Sequence, residues 1–144
     1  MKITFSNSSG QVYMTAEYDA QNHWVHNHWV GHQTYEGIIA GAEACLDLLQ
    51  QFACAYLLND NRQVLETWDQ AVMWVVQDWA PRAKAAGLTH IAQIVSVDTL
   101  GAHSAELLRA GLKPTFAIRT FTVLADAEAW LREAQQQATP NTPA

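Results

Sequence analysis

The sequence predicts an α/β fold in a single domain spanning residues 1–136, built on a mixed sheet of about six strands. Two observations predict it. Three short extended runs separated by turn-forming residues come first, and strands then alternate with helices. Hairpin-linked strands pair antiparallel, whereas strands that alternate with helices pair in parallel through right-handed crossovers. The chain has 144 residues, 49% of them hydrophobic, which is enough for one core.

The first three strands are short and joined by tight turns. The runs 3–5 and 12–18 flank a segment of serine, asparagine and glycine, residues 6–10, which predicts a hairpin. A second turn over residues 19–22 leads into a strand over residues 23–30. We expect these three strands to pair antiparallel at the start of the sheet.

A helix and a buried strand follow. Apolar residues recur at helical spacing over residues 35–53, and Thr34 is placed to cap this helix. Gly37 and Gly41 lie one turn apart, so we expect the helix to approach the sheet closely there. The wholly apolar run 54–58 predicts a strand buried on both faces.

The second half continues the alternation. The spacing Thr67-x-x-Gln70 resembles a capping box and predicts a helix that Pro81 kinks or restarts and Gly87 ends. The remaining predicted elements are a buried strand over 91–97, a helix over 99–110, a strand over 115–123, a helix over 124–136 and a flexible C-terminal tail over 137–144.

Composition excludes several classes of partner. The net charge is −6 and no run of lysine or arginine occurs, which argues against nucleic-acid binding. No apolar stretch approaches the roughly 20 residues that span a bilayer, and the N-terminus lacks the pattern of a secretory signal. We therefore expect a cytoplasmic protein without membrane insertion, with Cys45 and Cys54 as reduced core thiols.

Charged residues make up only 15% of the chain, against about a quarter in typical soluble domains. Six tryptophans accompany this shortage of charge. Both features favour a surface covered by a second copy, so we expect a homodimer. Trp74 lies off the apolar stripe of its helix and, with Met73, is the candidate interface.

Four short segments resemble a known family. They are Trp29-Val30-Gly31, Leu57-Leu58-Asn59-Asp60-Asn61-Arg62, Ala85-Ala86-Gly87-Leu88 and Ala129-Trp130-Leu131. In this order they resemble the SpoIIAA-like proteins, relatives of the STAS (anti-sigma-factor antagonist) domain, and especially the small stand-alone bacterial members. The resemblance implies a mixed sheet with helices chiefly on one face. It also implies binding of a partner or small ligand rather than catalysis.

The resemblance also raises the question of phosphorylation. In phosphorylated STAS antagonists, an Asp-Ser step at a helix N-terminus carries the serine that takes the phosphate. Here Glu66-Thr67 stands at the helix start, without the Asp-Ser step or the Ser-Gly that follows it. We expect Thr67 to cap its helix, with a role as phospho-acceptor as the alternative.

Polar residues follow the first buried strand. Asn59, Asp60, Asn61 and Arg62 come at its carboxyl end, where open α/β sheets commonly bind ligands. A carboxylate, a guanidinium and two amides are suited to holding a small polar group. The alternative is that Asp60 and the two asparagines only satisfy loop amides and that Arg62 pairs with an acidic side chain.

Four of the six histidines fall within residues 23–32. On a strand, His26 and His28 share one face, and the aromatic side chain of Trp29 lies on the other. We count these three residues among the candidate ligand-binding residues. Zinc would need further ligands, for which His32 and Glu36 are the nearest candidates, and the alternative is histidines half-exposed on a strand.

No catalytic motif is present. The chain lacks a Gly-x-Ser-x-Gly elbow, a P-loop, a dinucleotide-binding glycine motif and a His-Glu-x-x-His pair. The prediction is therefore a non-enzymatic binding or regulatory domain without a cofactor, which interacts with a partner protein or a small ligand. The alternative is a small metal- or ligand-dependent enzyme that uses His26 and His28.

Overall fold

Six strands form one sheet in the order in which they occur along the chain. A computed structural model describes residues 1–138. The first three strands pair antiparallel and the last four pair in parallel, which confirms the predicted mixed α/β sheet. The strands are β1 (Lys2–Ser6), β2 (Val12–Asp19), β3 (Trp24–Val30), β4 (Tyr56–Gln63), β5 (His90–Ile94) and β6 (Ala117–Phe121).

Helical segments connect the parallel strands. The connection between β4 and β5 is a continuous but irregular helix over residues 69–85, called the irregular helix below. It consists of a 3-10 turn (Asp69–Ala71), α2 (Val72–Trp74), a π turn (Val75–Trp79) and α3 (Ala80–Ala85). The regular helices are α1 (Tyr35–Gln51), α4 (Leu100–Leu112) and α5 (Leu124–Ala138). None of the helices within residues 1–138 has the length and apolar content to cross a bilayer.

The helices cover the two faces of the sheet unequally. The front face carries Val25, Leu57 and Ile91 and packs on α1, the irregular helix and α4. The rear face carries Leu58 and Ala92 and packs on α5, which covers β4 to β6 and reaches Trp24 at the start of β3. The larger core therefore lies in front, and the smaller rear core includes Trp24 of β3, over whose ring the Arg132 guanidinium of α5 lies at 5.3 Å.

The start of α1 agrees with the sequence prediction. Thr34 caps the helix by accepting a hydrogen bond from the backbone N–H of Gly37 at 3.0 Å. A Cβ at Gly41 would lie 2.7 Å from the ring of Trp29, so only glycine permits this approach to β3. The predicted close approach of helix and sheet is confirmed.

The prediction that the strand ends at residue 58 is wrong. β4 runs from Tyr56 to Gln63, so Asn59, Asp60 and Asn61 belong to the strand and not to a loop. Pairing with β3 and β5 continues through Asp60 on both sides. Backbone pairing with two neighbours outweighs the weak strand preference of these polar residues.

The predicted capping box at Thr67 is also wrong. The helix begins at Asp69, and the residue before it makes no side-chain cap. Ser104 of α4 supplies the missing partner: its hydroxyl accepts from the backbone N–H of Trp68 at 2.9 Å and donates to Asp69 Oδ1 at 2.6 Å. The Gln70 amide instead reaches a backbone carbonyl at 3.5 Å.

The irregular helix departs from the single regular helix that the sequence predicts. Pro81 has no N–H to donate, and its ring collides with the carbonyl four residues earlier in a regular helix. The π turn over Val75–Trp79 lies immediately before it and widens the backbone there. The predicted kink is thus a change of helix type.

Other boundaries differ by a few residues. β5 and β6 are shorter than predicted, and α4 continues through Gly111 because this glycine packs against Val76, where a Cβ would lie 2.6 Å away. α5 extends to Ala138, two residues beyond its predicted end. The rest of the predicted tail, residues 139–144, lies outside the described residues.

Candidate ligand-binding cavity

A cavity of about 70 Å³ lies between the front face of the sheet and the helices that cover it. Strands β3, β4 and β5 form its floor, and α1, the irregular helix and α4 form its walls and roof. Its aromatic lining comes from Trp29, Trp68 and Trp79. The indole N–H of Trp79 is bound to the carbonyl of Ala42 at 2.9 Å, which fixes that ring.

Three amide side chains cross the floor in one row. Asn27 on β3 pairs in register with Asn59 on β4, which pairs with Gln93 on β5. Neighbouring strands lie about 4.8 Å apart, so these amides are direct neighbours. We call Asn27, Asn59 and Gln93 the amide row. Polar side chains thus replace apolar ones in the middle of the larger core.

The Asn59 amide is held by the protein itself. Its Oδ1 accepts a hydrogen bond from Trp29 Nε1 at 2.9 Å, and its Nδ2 donates to Asn61 Oδ1 at 3.2 Å. Trp29, Asn59 and Asn61 all line the cavity. These three are therefore the predicted ligand-site residues that the structure brings together in front of the sheet.

Two glutamines present oxygens to the cavity. Gln93 donates its amide N–H to the carbonyl of Ala105 at 3.1 Å. Gln33 donates to the carbonyls of Tyr13 and Val30, both at 3.2 Å. Because carbonyls accept but never donate, these bonds fix which end of each amide is the nitrogen. Gln93 Oε1 and Gln33 Oε1 are left as free acceptors.

Asn27 presents a third oxygen. Its side chain hydrogen-bonds to the thiol of Cys45, and its Oδ1 has no partner. Burial raises the pKa of the Cys45 thiol to about 12, although the Asn27 bond opposes the shift. Both cysteines are free and buried. Cys45 is therefore a neutral thiol in the cavity wall.

Within residues 1–138, four buried polar atoms with no protein partner belong to residues that line this cavity. They are Asn27 Oδ1, Gln33 Oε1, Gln93 Oε1 and Trp68 Nε1. Buried polar groups are nearly always hydrogen-bonded, and each one left unpaired costs about 1–3 kcal/mol. Among the described residues, no aspartate, glutamate, lysine, arginine or histidine lines the cavity. The cavity is thus polar in places and uncharged.

The remaining predicted site residues lie behind the sheet. His26, His28, Asp60 and Arg62 alternate with the cavity residues along β3 and β4, so they face the rear. His28 pairs in register with Asp60. The sheet thus separates the predicted ligand-binding residues into two groups on opposite faces.

Asp60 and Arg62 form a two-point ion pair. Arg62 Nε and Nη2 donate to the two carboxylate oxygens of Asp60 at 3.0 and 2.7 Å. Burial by itself raises the pKa of Asp60, but the hydrogen bonds and charge of Arg62 outweigh it and hold that pKa below its ordinary value. Arg62 is therefore engaged by the protein.

Within residues 1–138, His26 and His28 are not part of a cluster that could hold a metal ion. Burial lowers the pKa of His26, with a smaller opposing effect from the charge of Asp60, and His26 Nε2 has no protein partner. His32 instead contacts Glu66 at 2.8 Å. Within residues 1–138, no three histidine, cysteine, aspartate or glutamate side chains are placed to share a metal ion. An enzyme that uses His26 and His28 stays a prediction.

The predicted interface and phosphorylation residues lie on the irregular helix or beside it. The Met73 side chain is exposed, while Trp74 is half-buried with the Arg82 guanidinium 6.0 Å from its ring centre. Thr67 is exposed, with its hydroxyl 3.2 Å from that of Ser104. The interface role of Met73 and Trp74 and the phospho-acceptor role of Thr67 therefore stay predictions.

Sequence reasoning missed four cavity residues: Asn27, Gln33, Gln93 and the indole N–H of Trp68. One signal was present for Gln93, the lone polar side chain within the otherwise apolar run over residues 91–95. A strand buried on both faces must pair such an amide or present it to a ligand. Asn27 gave no comparable signal, because it stands among histidines on a strand expected to be half-exposed.

No family model, no curated protein and no solved structure matches the chain. The resemblance to SpoIIAA-like proteins therefore stays a prediction, and the interpretation of the site depends on its geometry.

Proposed function

We propose that this protein is a non-enzymatic binding domain that takes a small molecule into the cavity in front of the sheet. One observation carries the proposal: four of the residues that line this single cavity have a buried polar atom without a protein partner within residues 1–138. A ligand that pairs with them offsets a cost of about 1–3 kcal/mol for each atom. The ligand-sensing role that the SpoIIAA-like resemblance implies is compatible with this proposal.

The chemistry of the lining supports binding over catalysis. Its one titratable side chain within residues 1–138 is Cys45, whose thiol stays protonated at neutral pH because its pKa is raised to about 12. The thiolate, not the thiol, is the nucleophile, and general acids and bases work best with a pKa near the operating pH. The amides and indoles of the cavity orient a molecule without exchanging protons with it.

The test is a screen of small uncharged compounds followed by two-dimensional ¹H–¹⁵N NMR of the tryptophan indoles. We expect binding compounds to shift the indole signals of Trp29 and Trp68, which line the cavity. Gln93→Met removes one cavity oxygen at similar side-chain volume, and we expect it to weaken binding about tenfold or more. Gln51→Met on the exposed side of α1 is the matched control and should leave binding unchanged.

A stability measurement separates a binding role from a packing role. Gln93→Met removes an unpaired buried oxygen but also the bond from the Gln93 amide N–H to the carbonyl of Ala105, and these two effects oppose each other. If Gln93 serves a ligand, we therefore expect the midpoint of thermal unfolding of the unliganded protein to change little. A screen in which no compound shifts the cavity indoles contradicts the proposal. Binding that Gln93→Met leaves intact contradicts it as well.

A further inference from the structure

The pattern of donors and acceptors in the cavity identifies a class of ligand. This step rests on the proposed binding function and makes it more specific. We infer that the ligand is a small, planar, uncharged molecule with several N–H donors and one carbonyl acceptor, as in ureas and small primary amides.

The lining residues of the cavity offer more free hydrogen-bond acceptors than free donors. The three free oxygens of Asn27, Gln33 and Gln93 need donors, while Trp68 Nε1 alone needs an acceptor. The nitrogens of both glutamines are engaged by backbone carbonyls, so neither amide can rotate to offer an N–H without breaking those bonds. A ligand that satisfies all four atoms therefore carries more donors than acceptors.

The charge of the ligand follows from the same lining. Three amide oxygens present the negative ends of their dipoles, which disfavours an anion. A cation would be buried without a counter-ion, because no carboxylate lines the cavity and Cys45 is protonated. Burying an unpaired charge is far more costly than burying a neutral hydrogen-bonded group. An uncharged molecule is the form that this site accepts.

Size and shape limit the ligand further. The cavity measures about 70 Å³, about half of the roughly 150 Å³ of a protein cavity that holds benzene with its six carbon atoms. By this scale, a ligand of about three to four non-hydrogen atoms is expected. The indole rings of Trp29, Trp68 and Trp79 line the cavity, and flat aromatic faces suit a planar molecule.

Three planar compounds of four non-hydrogen atoms test separately the need for N–H donors and the need for a neutral ligand. Urea is neutral with N–H donors and a carbonyl, acetone is neutral without donors, and guanidinium has donors but is charged. Each is titrated into the wild-type protein up to about 50 mM, below the range in which urea or guanidinium unfolds proteins. The Trp68 indole N–H signal is followed by NMR.

We expect urea to shift the Trp68 indole signal along a saturable curve, with a Kd in the millimolar range as for very small ligands. Acetone should bind at least tenfold more weakly, because it leaves three oxygens unpaired, and guanidinium should shift the signal no more than an equal concentration of sodium chloride does. Gln93→Met should weaken urea binding, and the exposed control Gln51→Met should not.

The results of this titration test the ligand class, whereas the results of the compound screen test the proposed function. A urea titration without a saturable shift overturns the inferred class, as does acetone binding equal to urea or guanidinium binding tighter than urea. If compounds from the screen still occupy the cavity, the proposed function stands and only the ligand class is wrong. The comparison of ligands is made on the wild-type protein, so it does not depend on any variant folding.

Discussion

Asp60 has the most deeply buried carboxylate of the ion pairs within residues 1–138, and it stays ionised because Arg62 binds both of its oxygens. One strand position away on either side, and therefore on the other face, Asn59 and Asn61 bond to each other and line the cavity. A one-residue shift along β4 would exchange these roles. At the residue scale, strand alternation therefore decides which side chain holds charge and which meets the ligand.

The Asp60 ion pair gives a prediction about pH. Its folded-state pKa is depressed, so its contribution to stability is present above the pKa of about 3.9 for an unfolded aspartate and is lost as the pH falls through the folded-state value. Asp60→Asn should lower the free energy of unfolding by about 1–3 kcal/mol at pH 7, since Arg62 is left unpaired.

Denaturant unfolding at pH 7, 5 and 3 measures this effect. The difference between Asp60→Asn and wild type should shrink as the pH drops below about 4, because the wild-type carboxyl becomes protonated as well. Asp47→Asn, at an exposed position of α1, is the control and should show little change. If the stability difference between Asp60→Asn and wild type stayed constant from pH 7 to pH 3, it would contradict a stabilising role for the ionised Asp60 carboxylate.

At the scale of elements, α4 and the irregular helix determine each other's position. Ser104 of α4 holds the start of the irregular helix through Trp68 and Asp69. The same end of α4 lies against the chain that follows β4, where a Cβ at Gly101 would lie 1.9 Å from the carbonyl oxygen of Val64. Since Trp68 and Val64 line the cavity, this junction also sets one of its walls.

Gly101→Ala tests the junction. Alanine is normally the better helix former by about 1 kcal/mol, but here its methyl group collides with backbone and α4 must move. We expect the free energy of unfolding to fall by about 1–3 kcal/mol. Leu100→Ala, at the exposed neighbouring position, should have a smaller effect. An unchanged or higher thermal midpoint for Gly101→Ala would contradict this prediction and show that Gly101 lies farther from the carbonyl of Val64.

At the scale of the whole molecule, the low fraction of charged residues is partly explained by the composition of the core. Amides, not carboxylates or ammonium groups, provide the polar side chains of the larger core, as Asn27, Gln33 and Gln93 show. Some apolar surface nevertheless stays exposed, and Met73 on the irregular helix is 60% exposed. An exposed methionine beside a half-buried tryptophan suits a contact with a second copy.

The homodimer is the prediction at this scale. Light scattering at micromolar concentration should return about twice the 16.0 kDa of one chain. Met73→Lys should shift the mass towards that of a single chain, since a lysine in an apolar interface buries an unpaired charge. Val123→Lys, at an exposed position next to α5, is the control. A wild-type mass of one chain at these concentrations would contradict the prediction.

Local patterns in the sequence determined the order of strands and helices, the mixed sheet and the close approach of α1 at Gly37 and Gly41. These features depend on side chains a few residues apart, through strand alternation, helical spacing and turn chemistry. The buried and reduced state of Cys45 and Cys54 is predictable for the same reason, because apolar neighbours surround each cysteine in the sequence.

The tertiary structure alone decided the length of β4 and the composition of the site. Asn59 stands in a strand because β3 and β5 pair with it on both sides, and the amide row depends on the register between residues more than thirty positions apart. Ser104 replaces the expected cap at Thr67 from a distant helix. Hydrogen bonds between distant segments outweigh local preference, and no local pattern in the sequence specifies such bonds.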